Sequence, residues 1–308
     1  MEKPSKIKAI FLALRVPFLQ VTIASILLGF VIAWYHGYRI DLTLAILTLI
    51  GACLMHLSVN IFHEYFDWKI GTDNINVKAI RPFTGGSGMI QIGALSPMEE
   101  LSIGVALMAL ASIIGFYIFY IIGNIMILIL GLIGIFSIIF YTAPPINFSS
   151  RGLGELVVSL NFGPLMALGG YIVQTNTFSL EPLLAGLILG ILTGNILIIN
   201  EFPDFEADYK TGKLHLIARL GLEKGSKFFF AMMILIYVLH TIFTIFGYFP
   251  ILSLVVFLTF PMAVKVAGNC IKNYNNPRGL VPSIIGTIKV HMIYSILFLS
   301  SYIISFYL

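Results

Sequence analysis

Nine runs of apolar residues, each about as long as a bilayer is thick, constrain this chain more than anything else in its sequence. They fall near residues 10–35, 42–63, 100–122, 124–142, 154–174, 181–201, 226–248, 250–271 and 284–307. A helix of about 20 residues spans the hydrocarbon core and satisfies its backbone polar groups internally. Composition agrees. Of the 308 residues, 58% are hydrophobic and 10% are charged, against about 25% charged in a soluble domain. The expected fold class is all-α, a polytopic membrane bundle of nine transmembrane helices with two acidic motif loops on the cytoplasmic side. A net charge of +4 gives no reason to expect a nucleic-acid partner; the basic residues read as topology signals. Cys53 and Cys270 lie in or beside apolar runs and are expected as free thiols. The basic lead at 1–8 is followed by no small-residue cleavage site, so it reads as part of a retained first helix.

Charge placement gives an independent orientation. With the N-terminus in the cytoplasm, segments 64–99, 143–153, 202–225 and 272–283 lie inside. Of the 18 Lys and Arg residues, only Arg39 falls clearly in an outer loop. Arg15, Lys227, Lys265 and Lys289 sit near inner helix ends, where long basic side chains can snorkel. This asymmetry is the positive-inside pattern. The two long inner segments follow the second and sixth runs. That spacing suggests one domain over 1–308 with duplicated halves, about 10–142 and 154–271, and a last helix at 284–307.

Each of those two runs ends in a polar word. The first reads Asn60-Ile-Phe-His-Glu64-Tyr-Phe-Asp67, then Gly71-Thr-Asp73. The second reads Asn200-Glu-Phe-Pro-Asp204-Phe-Glu-Ala-Asp208, then Gly212-Lys213. Positions i, i+4 and i+7 or i+8 share one helix face. Each word therefore aims a carboxamide and two carboxylates in one direction, and a parallel repeat would bring the two faces together. Carboxylates converging in a low-dielectric mouth repel one another unless cations neutralise them. Hard oxygen ligands select Mg²⁺ or Ca²⁺, and Mg²⁺ is usually held by a few carboxylates plus substrate phosphates.

Basic residues are interleaved with the acids. Lys69, Arg81, Lys213 and Arg219 share the long segments, and Arg151 lies between them. Metal-binding acids beside Lys and Arg suit a diphosphate leaving group, although a single basic residue could equally anchor at the inner leaflet. Arg81-Pro-Phe-Thr-Gly-Gly-Ser-Gly88 is a flexible turn that could present backbone N–H groups to phosphate, or a plain turn. Tyr141-Thr-Ala-Pro-Pro stops the fourth run. Tyr141 is either an interfacial anchor or an aromatic face for a developing cation. The histidines show no zinc spacing and read mostly as satisfied interior groups.

Together these words resemble the UbiA superfamily of intramembrane prenyltransferases over essentially the whole chain. Within it, Asn60…Glu64-Tyr-Phe-Asp67…Gly71-Thr-Asp73, Pro82-Phe-Thr-Gly-Gly-Ser-Gly, Arg151-Gly-Leu-Gly-Glu and Asn200-Glu-Phe-Pro-Asp204…Asp208 are most similar to the MenA branch, which prenylates 1,4-dihydroxy-2-naphthoate. The resemblance implies Mg²⁺ held by Asn60, Glu64 and Asp67 on one side and by Asn200, Asp204 and Asp208 on the other. It implies a polyprenyl diphosphate donor and a small aromatic acceptor, in a protein embedded in membrane lipid. Lys213, Arg81, Arg151 and Arg15 are the implied partners of the diphosphate. Tyr141 would shelter an allylic cation, and Asp73 would be a further acid acting on metal or on an acceptor proton.

Two departures stand out. Glu64 takes the place of the usual Asp, which leaves open direct or indirect metal contact. His215 stands where a small hydroxyl residue is common. Two other readings compete. Within the same fold the acceptor could be geranylgeranylglyceryl phosphate, which would require further basic groups at the mouth. Outside it, the chain could be a cation-coupled transporter, although its acids gather at one face rather than at the midplane.

Overall fold

The computed structural model describes residues 3–76, 78–81 and 83–308. Among them are nine helices long and apolar enough to cross a membrane: Lys6–Tyr35, Leu42–Ile70, Pro97–Ile122, Ile125–Thr142, Gly154–Thr175, Leu180–Lys210, Leu222–Ile245, Ile251–Asn273 and Arg278–Tyr307. No strand occurs among the described residues. The expected fold class holds, and the chain is an integral membrane protein.

Helix ends follow local chemistry. The third helix opens on a capping box, with the Ser96 side chain and the Glu99 side chain each satisfying the other's backbone. Gly71 ends the second helix in the left-handed region, φ 91°, with its N–H on the carbonyls of Asp67 and Trp68. The second and sixth helices therefore run beyond the apolar residues and through the acids of both polar words. The words are helix, not loop, up to Ile70 and Lys210.

Hydrogen bonds sort the connections into two ends. At one end Thr72 meets Thr211 at 2.9 Å, Lys78 pairs with Glu206, and an Arg219 Nη2 donates to the Ser150 carbonyl. At the other, His36 pairs with Glu181 and Gln174 Oε1 accepts from Asp41 N. Both words thus sit at the same end of the bundle.

Three irregularities shape the interior. The first helix breaks between Lys6–Leu14 and Leu19–Tyr35, with Arg15 left-handed at φ 51° and Pro17 following. Asn60 Nδ2 donates to the Leu14 carbonyl freed there, at 3.0 Å. The fifth helix carries a π turn over Asn161–Leu165, around Pro164, and the lost ladder is repaired by Ser25 Oγ donating to the Phe162 carbonyl at 2.6 Å. Beside that turn the fifth and sixth helices nearly touch. A Cβ at Gly163 would stand 2.3 Å from the Gly186 carbonyl oxygen, and one at Gly190 would stand 2.1 Å from that of Ser159. Small residues are what allow such approach in lipid. The main core joins the first helix, through Leu28 and Ile32, to the sixth to ninth helices, around Phe229, Tyr237, Tyr294 and Phe298.

Candidate active site

The sixth helix brings Asp204 and Asp208 opposite the second helix with Asp67, and the segment after Gly71 folds Asp73 between them. Asp67, Asp73, Asp204, Asp208 and Asn200 line one small cavity at the word-bearing end. Lys213 closes its floor. Its Nζ donates to Asp67 Oδ2 at 2.7 Å and lies 4.0 Å from Asp208 Oδ1. His63 Nε2 stands 3.2 Å from the same Asp67 oxygen. Burial lowers the Lys213 ammonium, but Asp208 and Asp67 outweigh it and hold it well above its ordinary value. For Asp73, burial first and then the Asp67 carboxylate push the carboxyl up to about 8.

The glycine-rich loop roofs this cavity. Asp204 Oδ2 accepts from Gly85 N at 3.1 Å, and Asp204 Oδ1 accepts from Asn76 Nδ2 at 2.6 Å. Glu64 Oε1 accepts from the N–H groups of Ser87 and Gly88, both at 3.1 Å, and from Ser87 Oγ. Glu64 is not among the residues lining the cavity, but its Oε2 is buried without a hydrogen-bond partner while Oε1 holds the loop. Pro82, the first residue of the glycine-rich motif that carried the resemblance, lies outside the described residues.

A second, mostly apolar chamber continues from the acidic cavity into the bundle, between the first, second, fourth, fifth and sixth helices. Arg15, His63, Tyr141, Leu197 and Asn200 line both spaces, and Asn60 faces the apolar one. Tyr141 packs its ring 5.4 Å from that of His63. Arg15 donates from Nη2 to the Phe83 carbonyl at 2.8 Å and makes no ion pair among the described residues. Two expected residues are not brought in. Arg151 is exposed and donates to the Pro145 carbonyl. Arg81 packs its guanidinium against Gly88, where a Cβ would meet its Cζ at 2.5 Å, and does not line the cavity.

Three groups enter that the sequence reading passed over as site residues: Glu155, Glu201 and His215. All are buried, all line the acidic cavity, and their ligating atoms lie within 4.8 Å of one another. His215 Nε2 stands 3.2 Å from Asp208 Oδ2, and Nδ1 stands 3.1 Å from Glu201 Oε2. Ala218 N is also 3.2 Å from Nδ1. Burial lowers the imidazole, but Glu201 and Asp208 outweigh it and raise it to about 10. Ala218 N donates to Nδ1, so the ring caps the short helix that follows it while both nitrogens face carboxylates. Glu155 Oε1 accepts from Leu216 N at 2.7 Å and so fixes the loop that carries His215. The signal for Glu201 was its place beside Asn200. Nothing local announces its partner from another segment.

The residues fit a hard divalent cation. Asp67 Oδ1, Asp73 Oδ2 and Asn200 Oδ1 are buried oxygens without a hydrogen-bond partner, and an unsatisfied buried oxygen in lipid is costly.

Comparison with known proteins decides the family. The UbiA prenyltransferase family matches residues 22–279. The chain belongs to the UbiA prenyltransferase family. It is a prenyltransferase, and the transporter reading is set aside. Its likeness to the MenA branch is met by relatives named 1,4-dihydroxy-2-naphthoate octaprenyltransferase. That of Bacillus subtilis (strain 168) is 24% identical over 94% of this chain and 90% of its own. That of Escherichia coli (strain K12) is 27% identical over 96% and 94%. Among solved structures, a UbiA homolog from Archaeoglobus fulgidus bound to DMAPP and Mg²⁺ superposes with a TM-score of 0.64 at 16% identity, covering 97% of this chain and 99% of that one. That likeness shows the fold.

Proposed function

We propose that this UbiA-family prenyltransferase moves a polyprenyl group from its diphosphate to an aromatic acceptor of the 1,4-dihydroxy-2-naphthoate type, releasing diphosphate. One observation carries the reading. The acidic cavity and the apolar chamber share a wall of Arg15, His63, Tyr141, Leu197 and Asn200, so a charged head and an apolar tail have adjoining homes. The named relatives support the acceptor class.

Asp67, Asp73, Asn200, Asp204 and Asp208 would hold Mg²⁺, with Asn60 at the chamber edge. When bound, the metal neutralises the diphosphate and stabilises it as a leaving group. The chain's own residues do the rest. Lys213, held between Asp67 and Asp208, would offer a second positive charge to the departing oxygens. Arg15 faces the same space with no carboxylate of its own. Tyr141 presents its ring at the boundary where the carbon–oxygen bond breaks, and an aromatic face favours the allylic cation. The acceptor ring supplies the electron pair for the new carbon–carbon bond and regains aromaticity by losing the group on that carbon, a proton or the carboxyl group as carbon dioxide. The dry chamber limits capture of the cation by water. Glu64 is assigned to the roof, holding the glycine-rich loop. The words and loop face the cytoplasm, on the charge asymmetry of the sequence.

A glyceryl phosphate acceptor fits less well. It would bring a second phosphate into a cavity whose Lys213 is already engaged and whose other strong base is Arg15, because Arg81 and Arg151 do not line it. The test is transfer by purified protein in detergent, with labelled geranylgeranyl diphosphate and with or without Mg²⁺. 1,4-Dihydroxy-2-naphthoate, 4-hydroxybenzoate and geranylgeranylglyceryl phosphate are offered in parallel. Mg²⁺-dependent product with the naphthoate is expected. Product with the glyceryl phosphate alone would overturn the acceptor assignment.

A further inference from the structure

The apolar chamber contains polar groups that an isoprenoid tail has no use for. His56 lies one helical turn below Asn60 on the second helix and lines the chamber. Thr22 Oγ1 is 2.7 Å from its Nδ1, and its ring meets Phe162 edge-on with centroids 4.6 Å apart. Its Nε2 makes no hydrogen bond among the described residues. His240 shows what a satisfied membrane histidine looks like in this chain, with Nδ1 2.6 Å from Tyr294 OH and Nε2 2.9 Å from Ser253 Oγ. His56 has only the first half of that arrangement.

Asn161 joins it. The π turn of the fifth helix sets Asn161 on the chamber wall, next in sequence to the Phe162 that touches His56. Asn161 Nδ2 donates to the Val157 carbonyl at 2.8 Å and to Ser137 Oγ at 3.1 Å, while Oδ1 has no partner among the described residues. A nitrogen or oxygen left without a partner on an otherwise apolar wall favours an occupant that can hydrogen-bond to it. An apolar chain cannot do so; an oxygenated ring can. Four residues of helix rise about 6 Å, so His56 lies below the Asn60 level by about the separation of two para oxygens on one ring.

We propose that His56 and Asn161 form a seat for the far oxygen of the acceptor ring, making the chamber selective for a ring oxygenated on both edges. The seat rests on the aromatic-acceptor reading above. It requires no change at the acidic cavity, so it acts on acceptor choice and leaves the diphosphate site alone.

The experiment pairs one residue with one substrate oxygen. kcat/KM is measured for 1,4-dihydroxy-2-naphthoate and for 1-hydroxy-2-naphthoate with wild-type protein and with His56→Leu. Intrinsic ring reactivity is the same for both proteins and cancels in the comparison. The preference for the dihydroxy ring should fall about tenfold in His56→Leu, the worth of one hydrogen bond at about 1.4 kcal/mol. An equal preference in both proteins would overturn the seat. Should His56→Leu not survive extraction, Asn161→Ser enters the same comparison. A fall of about threefold or more supports the seat, and an unchanged preference refutes it. If wild-type protein uses neither naphthoate but does use another acceptor, the acceptor reading itself fails and the seat falls with it.

Discussion

Lys213 Nζ stands 2.7 Å from Asp67 Oδ2 and 4.0 Å from Asp208 Oδ1, so one buried ammonium joins the two polar words. Removing one partner of a buried ion pair costs about 3–5 kcal/mol, because the other charge is left uncompensated. Lys213→Met should lower the melting temperature of the protein in detergent, and Mg²⁺ should restore much of the loss by taking over the carboxylates. A melting temperature indifferent to Mg²⁺ in this variant would argue that the cation is not held there.

The acids themselves should matter through chemistry as well as through the ion pairs they hold. Asp67→Ala and Asp208→Ala each remove an oxygen aimed at the space where diphosphate charge develops. Losses on the order of 10²-fold in kcat are expected for single electrostatic contacts of this kind. Chelation of Mg²⁺ should abolish transfer in the wild type. Transfer that persists under chelation would remove the metal from the scheme.

Glu64 accepts from three donors of the glycine-rich loop through a single oxygen. Hydrogen bonds to a charged group contribute about 1.5–3 kcal/mol each, so losing even one corresponds to about tenfold or more in local opening. Glu64→Ala should speed backbone hydrogen exchange over residues 85–89 by at least that factor, with Glu64→Gln in between. Unchanged exchange would show that the loop is held elsewhere.

The contact between the fifth and sixth helices allows a purely steric test. A Cβ at Gly163 or Gly190 would enter the backbone of the facing helix. Overpacking costs about 1–3 kcal/mol. Gly190→Ala should therefore melt at lower temperature than wild type, whereas Gly134→Ala on the fourth helix, with nothing within 4 Å of its Cβ position, should not.

The span count, the side shared by the words and the converging acids were all legible because each rests on a local pattern: apolar runs, charge bias, or i, i+4 spacing. Helix ends were less so. The second and sixth helices outrun their apolar stretches by several residues, since hydropathy stops reporting where side chains turn polar but the backbone ladder continues. Pro17 and Pro164 mark the break in the first helix and the π turn in the fifth; each is visible in the sequence, but a proline alone does not say which irregularity follows. Arg151 and Arg81 were grouped with the site on sign and neighbourhood. Their side-chain directions depend on packing that spacing does not encode. The pairing of His215 with Glu201 and Asp208 is tertiary, joining a loop to the helix before it across a turn no local rule fixes.

The roof over the acids is held mostly by main-chain atoms. Gly85, Ser87 and Gly88 each contribute an N–H, a group every residue but proline possesses. Descent with modification therefore acts unevenly on this loop. Ser87 can be exchanged at the cost of two hydroxyl contacts, one to Glu64 and one from Met89 N. Gly85, Gly86 and Gly88 hold positive φ of 67°, 64° and 76°, and the space beside each is taken by Ala79, Asp73 or Arg81. In lineages that keep this roof, the side chains between the glycines are free to drift while the glycines stay.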